Sequence, residues 1–465
     1  MDSGADPNLA RGGSRTREYP CDPRNPSDDR RGIPLKILIL SDRFPPHHLG
    51  GAEVSTGVIA GGLAQAGCQV RVVTRAAERS EVGEESWKGI RVRSFWDRYD
   101  ERFRAYYTIF NRPGLRMVRQ ELARFRPDVV QAHNVRNHIS FASLWAARRS
   151  GVPVVFTAHD PGAICQQKMI CGIDLESLGQ KTSYEARPGK CGPCMRFRYF
   201  PLRNFLIRRI LQGPKSRVMA VSRELSKILE TNGYRSVEVL PNGIDVEMYA
   251  RVQEEETQAF RARHEIPPGM LVIGGGGRLS FWKGFDHLVD AAANLSGLGI
   301  PDFRIALVGR RGGYEQSLLE RARALGIEDR ILFVGWMDPE DLPVYYAACD
   351  VVAVPSIIPD SLPRTALEAM AAARPVLGSP FGGTPEIIVD GVTGRLANPL
   401  VPEEFANALA EILSDPDRAR SMGESGRQRV REHFSIESNV QRRLELYRSL
   451  GGATTLLQPA SSGSR

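Results

Sequence analysis

Residues 274 to 284 set an arginine and a lysine five positions apart among glycines: Gly274, Gly275, Gly276, Gly277, Arg278, then Lys283 and Gly284. Two acids, Asp360 and Glu368, follow eight positions apart. Guanidinium and ammonium groups pair with phosphate oxygens, and glycine lets backbone amides come close, so the first group suits a diphosphate. Paired carboxylates suit the hydroxyls of a ribose or a sugar. Between the acids, Pro363, Arg364 and Thr365 offer backbone amides and side chains to the same diphosphate at a helix start. The plainer alternatives are a surface cation pair for Arg278 and Lys283 and a solvated helix-start carboxylate for Glu368.

These residues need a scaffold that brings them together, and the pattern around them supplies one. Residues 305–309 read as a buried strand that stops at Gly309, residues 331–335 repeat the signal and stop at Gly335, and residues 350–355 repeat it again. In open parallel sheets ligands sit beyond the carboxyl ends of the strands, where Gly277, Arg278, Gly309, Gly335, Pro355 and Ser356 all fall. An earlier set begins at residues 36–40, a short apolar strand, followed by Gly50 and Gly51 before a helical run and a second strand at 70–74. That glycine pair either relaxes a turn or lets amides approach an anion at a helix N-terminus. Strands at 126–133 and 152–160 end in His133 and in Thr157, Ala158, His159 and Asp160. Both tips point into one cleft. His159 is read as a donor to a sugar hydroxyl or a stabiliser of charge, with a structural role as the alternative; for His133 the structural reading leads.

Beyond His159, Cys165, Cys171, Cys191 and Cys194 fall within thirty residues, the last two as Cys-Gly-Pro-Cys. Four thiolates with such a spacing can close a structural zinc site; disulfides, free thiols and an iron–sulfur cluster are the other readings. The next stretch, residues 196–211, interleaves arginines with Phe197, Tyr199, Phe200, Phe205 and Leu206 on what reads as largely a helix. It is either a packed helix with solvated arginines or a patch that meets an anionic membrane surface, extended by Arg102, Phe103, Arg104, Tyr106 and Tyr107. No recognition motif for nucleic acid accompanies these basic residues.

At 465 residues and 42% hydrophobic content the chain can bury sizeable cores in two or three domains. No run of about 18 apolar residues occurs, so nothing reads as a helical membrane span. The formal charge of +8 permits anionic substrates or lipid as partners. Seven cysteines, one in the leading tail, argue for a reducing compartment, and the lack of an apolar signal core argues against export. A cytoplasmic protein, peripheral on the inner membrane face in one reading, is expected. Residues 1–33 and 452–465 read as a disordered leader and tail.

The ordered set of Gly277-Arg278-Leu279 with Lys283-Gly284, Val334-Gly335, Pro355-Ser356, Asp360 through Glu368-Ala369-Met370-Ala371, Arg374-Pro375-Val376, Gly382-Gly383-Thr384-Pro385-Glu386 and Gly391 to Gly394 resembles the retaining nucleotide-sugar glycosyltransferases of family 4, which have the GT-B fold. The resemblance spans roughly residues 35 to 450. It implies an α/β architecture of two Rossmann-like domains facing a cleft: an acceptor domain at 34–245 with a cysteine-bearing insert at about 161–200, and a donor domain at 246–430. A helix at 431–451 would return to the first domain, and Pro241-Asn242-Gly243-Ile244-Asp245 would mark the passage between domains. It also implies transfer of a hexose from a nucleotide diphosphate sugar, UDP by default and GDP next, with no catalytic metal because Arg278 and Lys283 neutralise the leaving diphosphate. His159 and Asp360 would contact the donor sugar. Gly50, Gly51, Gly277, Gly309, Gly335, Arg364, Thr365 and Glu368 would surround the donor, and the cysteine insert would shape the acceptor mouth. The family usually has Glu where this chain has Asp360, and Phe-Gly where it has Leu362-Pro363; both changes bear on the donor sugar. The acceptor is expected to be a glycan, a lipid-linked glycan or a small molecule. A non-catalytic nucleotide-sugar-binding protein of the same fold is the competing class.

Overall fold

The computed structural model describes residues 34–452 except 48–49, 166, 168–172, 175–179, 182–183 and 311. The expected leader and nearly all of the expected tail lie outside the described residues, as does Cys171.

Two parallel sheets carry the chain. The first joins β1 (Lys36–Ser41), β2 (Gln69–Arg75), β3 (Glu84–Trp87), β4 (Ile90–Phe95), β5 (Val129–His133) and β6 (Val154–Ala158). After a two-strand hairpin, β7 (Ile173–Asp174) and β8 (Gln180–Lys181), it is completed by β9 (Ser216–Ala220) and β10 (Val237–Val239). Its spatial order is β10-β9-β6-β5-β1-β2-β4-β3, with only β3 antiparallel to its neighbour. The second sheet uses β11 (Leu271–Gly276), β12 (Phe303–Val308), β13 (Ile331–Gly335), β14 (Val351–Val354), β15 (Val376–Gly378) and β16 (Gly394–Leu396), in the order β13-β12-β11-β14-β15-β16, all parallel. Helices cover both faces of each sheet, which is why Ile37, Leu38, Ile39 and Leu40 are all fully buried and read as a continuous apolar run.

One core cluster runs without a break from Leu38 and Val130 of the first sheet to Val354, Met370 and Val430 of the second half. The outer face of the second sheet has its own core around Phe285, Ile305 and Phe405. The outer face of the first is closed by the Ile436–Gly452 helix, whose Val440 and Tyr447 pack with Ile37, Val129 and Val155. This helix lies so close to the Gly51–Gln65 helix that a side chain at Gly62 would strike Val440. The two passages of chain between the sheets lie side by side: Ile244 donates to the Phe434 carbonyl at 2.9 Å and accepts from Ile436 at 3.0 Å.

Residues 196–211 do not form one helix. They divide into a single turn, Arg196–Arg198, and a helix, Arg203–Leu211, with Pro201 between them. The stapled cysteine insert also finds no support here. Cys165 and Cys194 are free thiols, and Cys191 and Cys194 lie one turn apart on the short Pro188–Met195 helix. Among the described residues no group of three or more His, Cys, Asp or Glu is placed to hold a metal ion.

Candidate functional site

The carboxyl ends of β1 and β6 face those of β11 and β14 across a cleft of roughly 680 Å³, the size of an ordinary ligand site. Its walls carry five cations, Arg43, Arg278, Lys283, Arg310 and Arg364, against three carboxylates, Glu53, Asp160 and Asp360. The balance favours an anionic ligand.

On the second sheet's side the glycine-rich turn after β11 presents Arg278, exposed and without a hydrogen bond or ion pair to any described residue. Lys283 reaches from the next turn to Asp360, Nζ to Oδ2 at 2.5 Å, and Ser356 Oγ donates to the same oxygen at 2.5 Å. Gly284 makes this approach feasible: its φ is +74°, and a Cβ there would run into the Pro355 carbonyl. The Asp360 loop is held in turn by Gly383, whose N–H donates to the Asp360 carbonyl at 2.7 Å. Arg364 lines the cleft and bridges its two sides. Its Nε donates to Glu368 at 3.0 Å and one amino group to Ser55 Oγ at 3.2 Å on the opposite helix. Burial works against its charge, yet Glu368, Tyr249 and Tyr346 together outweigh this and hold its pKa above the ordinary value.

Several residues expected around a donor stand one step back. Glu368 lies in the second turn of the Arg364–Ala371 helix instead of opening it, is only 6% exposed, and accepts from Tyr346 at 2.8 Å as well as from Arg364. Gly309 donates its N–H to the Gly335 carbonyl at 2.9 Å, so the two tie neighbouring strand ends together, while Arg310 and Trp336 beside them line the cleft with the guanidinium 4.7 Å from the ring centroid. Thr365, Gly50, Gly51 and Gly277 do line it.

On the first sheet's side His159 and Asp160 follow β6 into the cleft. Asp160 pairs with Arg136 and accepts from the Gly162 N–H at 2.9 Å. The Arg136 loop is itself clasped by Asp42 after β1, whose carboxylate accepts from the backbone N–H groups of Arg136, Asn137, His138 and Ile139 at 2.6–3.3 Å. His133 is fully buried, and its Nδ1 lies 2.9 Å from Nε2 of His159. Burial pushes His159 down to about 3, and Arg443, Arg136 and Arg364 add to the effect. Burial likewise holds His133 well below its ordinary value, with His159 and Arg443 contributing. Both rings are neutral near pH 7.

In the sequence, residues 382–386 stand only as one motif of the ordered set; in the fold they lead into the short Thr384–Ile387 helix. Glu386 also reaches across the cleft and accepts from the backbone N–H groups of Arg223 and Glu224 at 2.8 and 2.9 Å, capping the Arg223–Thr231 helix of the first half. Asp42, Arg136, Arg310, Trp336 and Arg443 were missed as well. Only Asp42, a carboxylate just past the first strand, carried a usable signal.

A family profile described as Glycosyltransferase Family 4 matches residues 49–248, and one described as Glycosyl transferases group 1 matches residues 256–429. The D-inositol 3-phosphate glycosyltransferase of Nocardia farcinica is 29% identical over 415 residues, covering 84% of each chain. The protein of that name from Corynebacterium urealyticum is 36% identical over 221 residues, 46% of this chain and 51% of its own length, so this match spans about half of that relative. A GDP-mannose-dependent alpha-(1-6)-phosphatidylinositol monomannoside mannosyltransferase of Mycolicibacterium smegmatis is 30% identical over 217 residues, 45% of this chain and 56% of that protein. Among solved structures, sucrose-phosphate synthase from Thermosynechococcus elongatus superposes with a TM-score of 0.71 at 23% identity over 90% of this chain and 100% of its own. Anabaena Alr3699/HepE in complex with UDP does so at 0.66 and 22%, over 89% and 100%. These two likenesses establish the fold.

The neutral histidine pair fixes a pH dependence. In the unfolded chain both rings take up a proton below their ordinary 6.5, whereas the folded protein resists this far lower, to about 3 for His159. Their contribution to stability is therefore complete above about pH 6.5 and is lost as pH falls from there toward 3. Denaturant titrations between pH 7.5 and 5 should show stability falling with a slope that approaches about 2.7 kcal/mol per pH unit from the two rings. His133→Asn should halve that slope. A flat profile would mean that the pair already holds its protons in the folded state.

Proposed function

Because this chain belongs to the family 4 glycosyltransferases of GT-B fold, we propose that it moves a hexose from a nucleotide diphosphate sugar to an acceptor hydroxyl with retention of anomeric configuration. The observation that carries the reading is the cleft between the two sheets, with Arg278 unpaired among the described residues at a glycine turn and Lys283 and Arg364 held beside it. Breaking the anomeric bond increases charge on the departing diphosphate. Arg278 and Lys283 stabilise that charge, and no catalytic metal is part of the proposal. Lys283 is shared with Asp360, which positions the carboxylate toward the donor hexose hydroxyls. The leaving phosphate itself takes the acceptor proton on the same face, so no protein nucleophile is required. His159, being neutral, acts on the sugar by hydrogen bonding and not by charge. Closure of the two halves through Glu386 and Arg364 excludes water that would hydrolyse the donor.

UDP is the proposed carrier, with GDP next; the Anabaena neighbour was solved with UDP and with UDP-glucose. The proposed setting is synthesis of a cell-surface polysaccharide or glycolipid. It is supported by a surface on which the helices Arg104–Ile109, Phe141–Arg149 and Arg203–Leu211 pack together. Phe110, Trp145 and Phe205 line one shallow groove there and are 43–55% exposed, with Arg149 and Arg209 exposed beside them. Aromatic and basic groups so mixed suit anionic headgroups. No helix among the described residues is long and apolar enough to cross a membrane. A soluble phosphorylated polyol as acceptor is the second reading, favoured by the name of the Nocardia relative. A structural zinc on Cys165, Cys171, Cys191 and Cys194 also stays a proposal, supported by the Cys-Gly-Pro-Cys spacing.

Thermal melting against UDP-, GDP-, ADP- and dTDP-sugars tests the donor site. A donor at a hundred times its Kd should add about 2.7 kcal/mol to the wild type and little to Arg278→Ala. No shift with any donor would bring the non-catalytic scaffold reading forward. Flotation with vesicles containing anionic phospholipid should carry the protein at low salt and release it at high salt, and Phe110→Ser with Phe205→Ser should abolish binding. Failure to float at low salt favours the soluble acceptor. Elemental analysis should find about one zinc per chain, as a four-thiolate site holds one ion; a metal-free protein removes that proposal.

A further inference from the structure

A single helical turn, Pro161–Ala163, follows His159 and Asp160 out of β6. The N–H groups of Ile164 and Cys165 close it on the Pro161 carbonyl at 2.9 and 2.8 Å. A turn this short leaves N–H groups unmatched at its start and carbonyls unmatched at its end. Asp160 supplies the start: Oδ1 accepts from the Gly162 N–H at 2.9 Å, while Oδ2 pairs with Arg136. Arg203, the first residue of the Arg203–Leu211 helix, supplies the end. One of its amino groups donates to the Gly162 carbonyl at 2.7 Å. The other reaches the Ala163 carbonyl at 3.3 Å, the Ile164 carbonyl at 3.4 Å and Asn204 Oδ1 at 2.8 Å. Gly162 is thus held from both sides, by a carboxylate at its N–H and by a guanidinium at its carbonyl.

Arg203 is only 6% exposed and pairs with no carboxylate among the described residues. Burial brings its pKa down to about 10, which leaves it charged at neutral pH. A buried cation without a counter-ion is costly. What a guanidinium adds over an apolar side chain is a planar fork that fixes the direction of several carbonyls at once. We propose that Arg203 is a positioning residue for Asp160: by capping the far end of the turn it fixes the Gly162 N–H, and through it the way the Asp160 carboxylate, 19% exposed on the cleft wall, faces a ligand hydroxyl. That the hydroxyl belongs to a substrate of glycosyl transfer rests on the transferase reading; the hold on the turn does not. The same helix shows Phe205 to the surface groove, so one element joins that groove to a corner of the cleft.

Arg203→Met removes the fork and keeps an unbranched side chain. In the full chain, hydrogen exchange read by mass spectrometry should speed about 10-fold or more in the peptide covering residues 160–165, while β6 and β9 keep wild-type protection, since one turn can open with the sheet intact. Transfer assays should show kcat about 10-fold lower and the donor KM within about twofold, because a displaced group weakens chemistry while Arg278, Lys283 and Arg364 still hold the donor. A double variant with Asp160→Asn decides the route: it should be no slower than Asp160→Asn alone, since the two substitutions disable one unit. Losses that multiply, exchange that rises equally through β6 and β9, or unchanged exchange at residues 160–165 would each overturn the proposal. Should Arg203→Met not fold, Arg203→Lys, whose single ammonium cannot span three carbonyls, is judged by the same criteria. Absence of transfer from every donor, with the local exchange change present, would count against the transferase reading and leave the hold of Arg203 on the turn standing.

Discussion

Ile244 exchanges two backbone hydrogen bonds with the returning chain at Phe434 and Ile436, so the outward and homeward passages between the sheets run together as a two-stranded strap. Everything in the cleft depends on that pairing, because it fixes which strand ends face each other while leaving only two crossings to bend. Among the described residues, polar contacts span the opening. Glu386 caps a helix on the far side, Arg364 reaches Ser55, and Lys88 pairs with Glu340 at 2.8 Å at the exposed rim. Exposed pairs like the last contribute little to stability. Contacts of this kind can be made and broken as a ligand enters and leaves.

Within the cleft most of the positive charge is already engaged. Lys283 is held by Asp360, Arg364 by Glu368, and Arg310 lies over Trp336. An unpaired buried charge is costly, so Arg364, the most deeply packed of the three, needs its carboxylate companion. Arg278, exposed at its glycine turn, escapes that requirement and pairs with no described residue.

Much of the fold was legible because it is local. The apolar runs at 36–40 and 305–309 end at glycine or small polar residues, and each became a strand whose tip reaches the cleft. Two local readings changed: one passed over a breaker inside its own segment, and the other met partners of its own in the fold. The helix expected through residues 196–211 breaks around Pro201. Glu368, taken as a ligand-facing acid at a helix start, is occupied by Tyr346 and Arg364.

The sequence by itself determined the order of strands and helices, the glycines that permit close backbone approach, and the polar residues at strand ends, since periodicity and torsional preference act over a few residues. Only the tertiary structure decided what those residues touch. Glu386 meets Arg223 and Glu224, Asp42 gathers the loop that carries Arg136, and Arg443 settles under Gln131 and Thr157, pairs separated by roughly one hundred to three hundred positions. A hydrogen bond is specified by position to within a fraction of an ångström, and that placement belongs to the packing of whole sheets and helices, which no short stretch of sequence encodes.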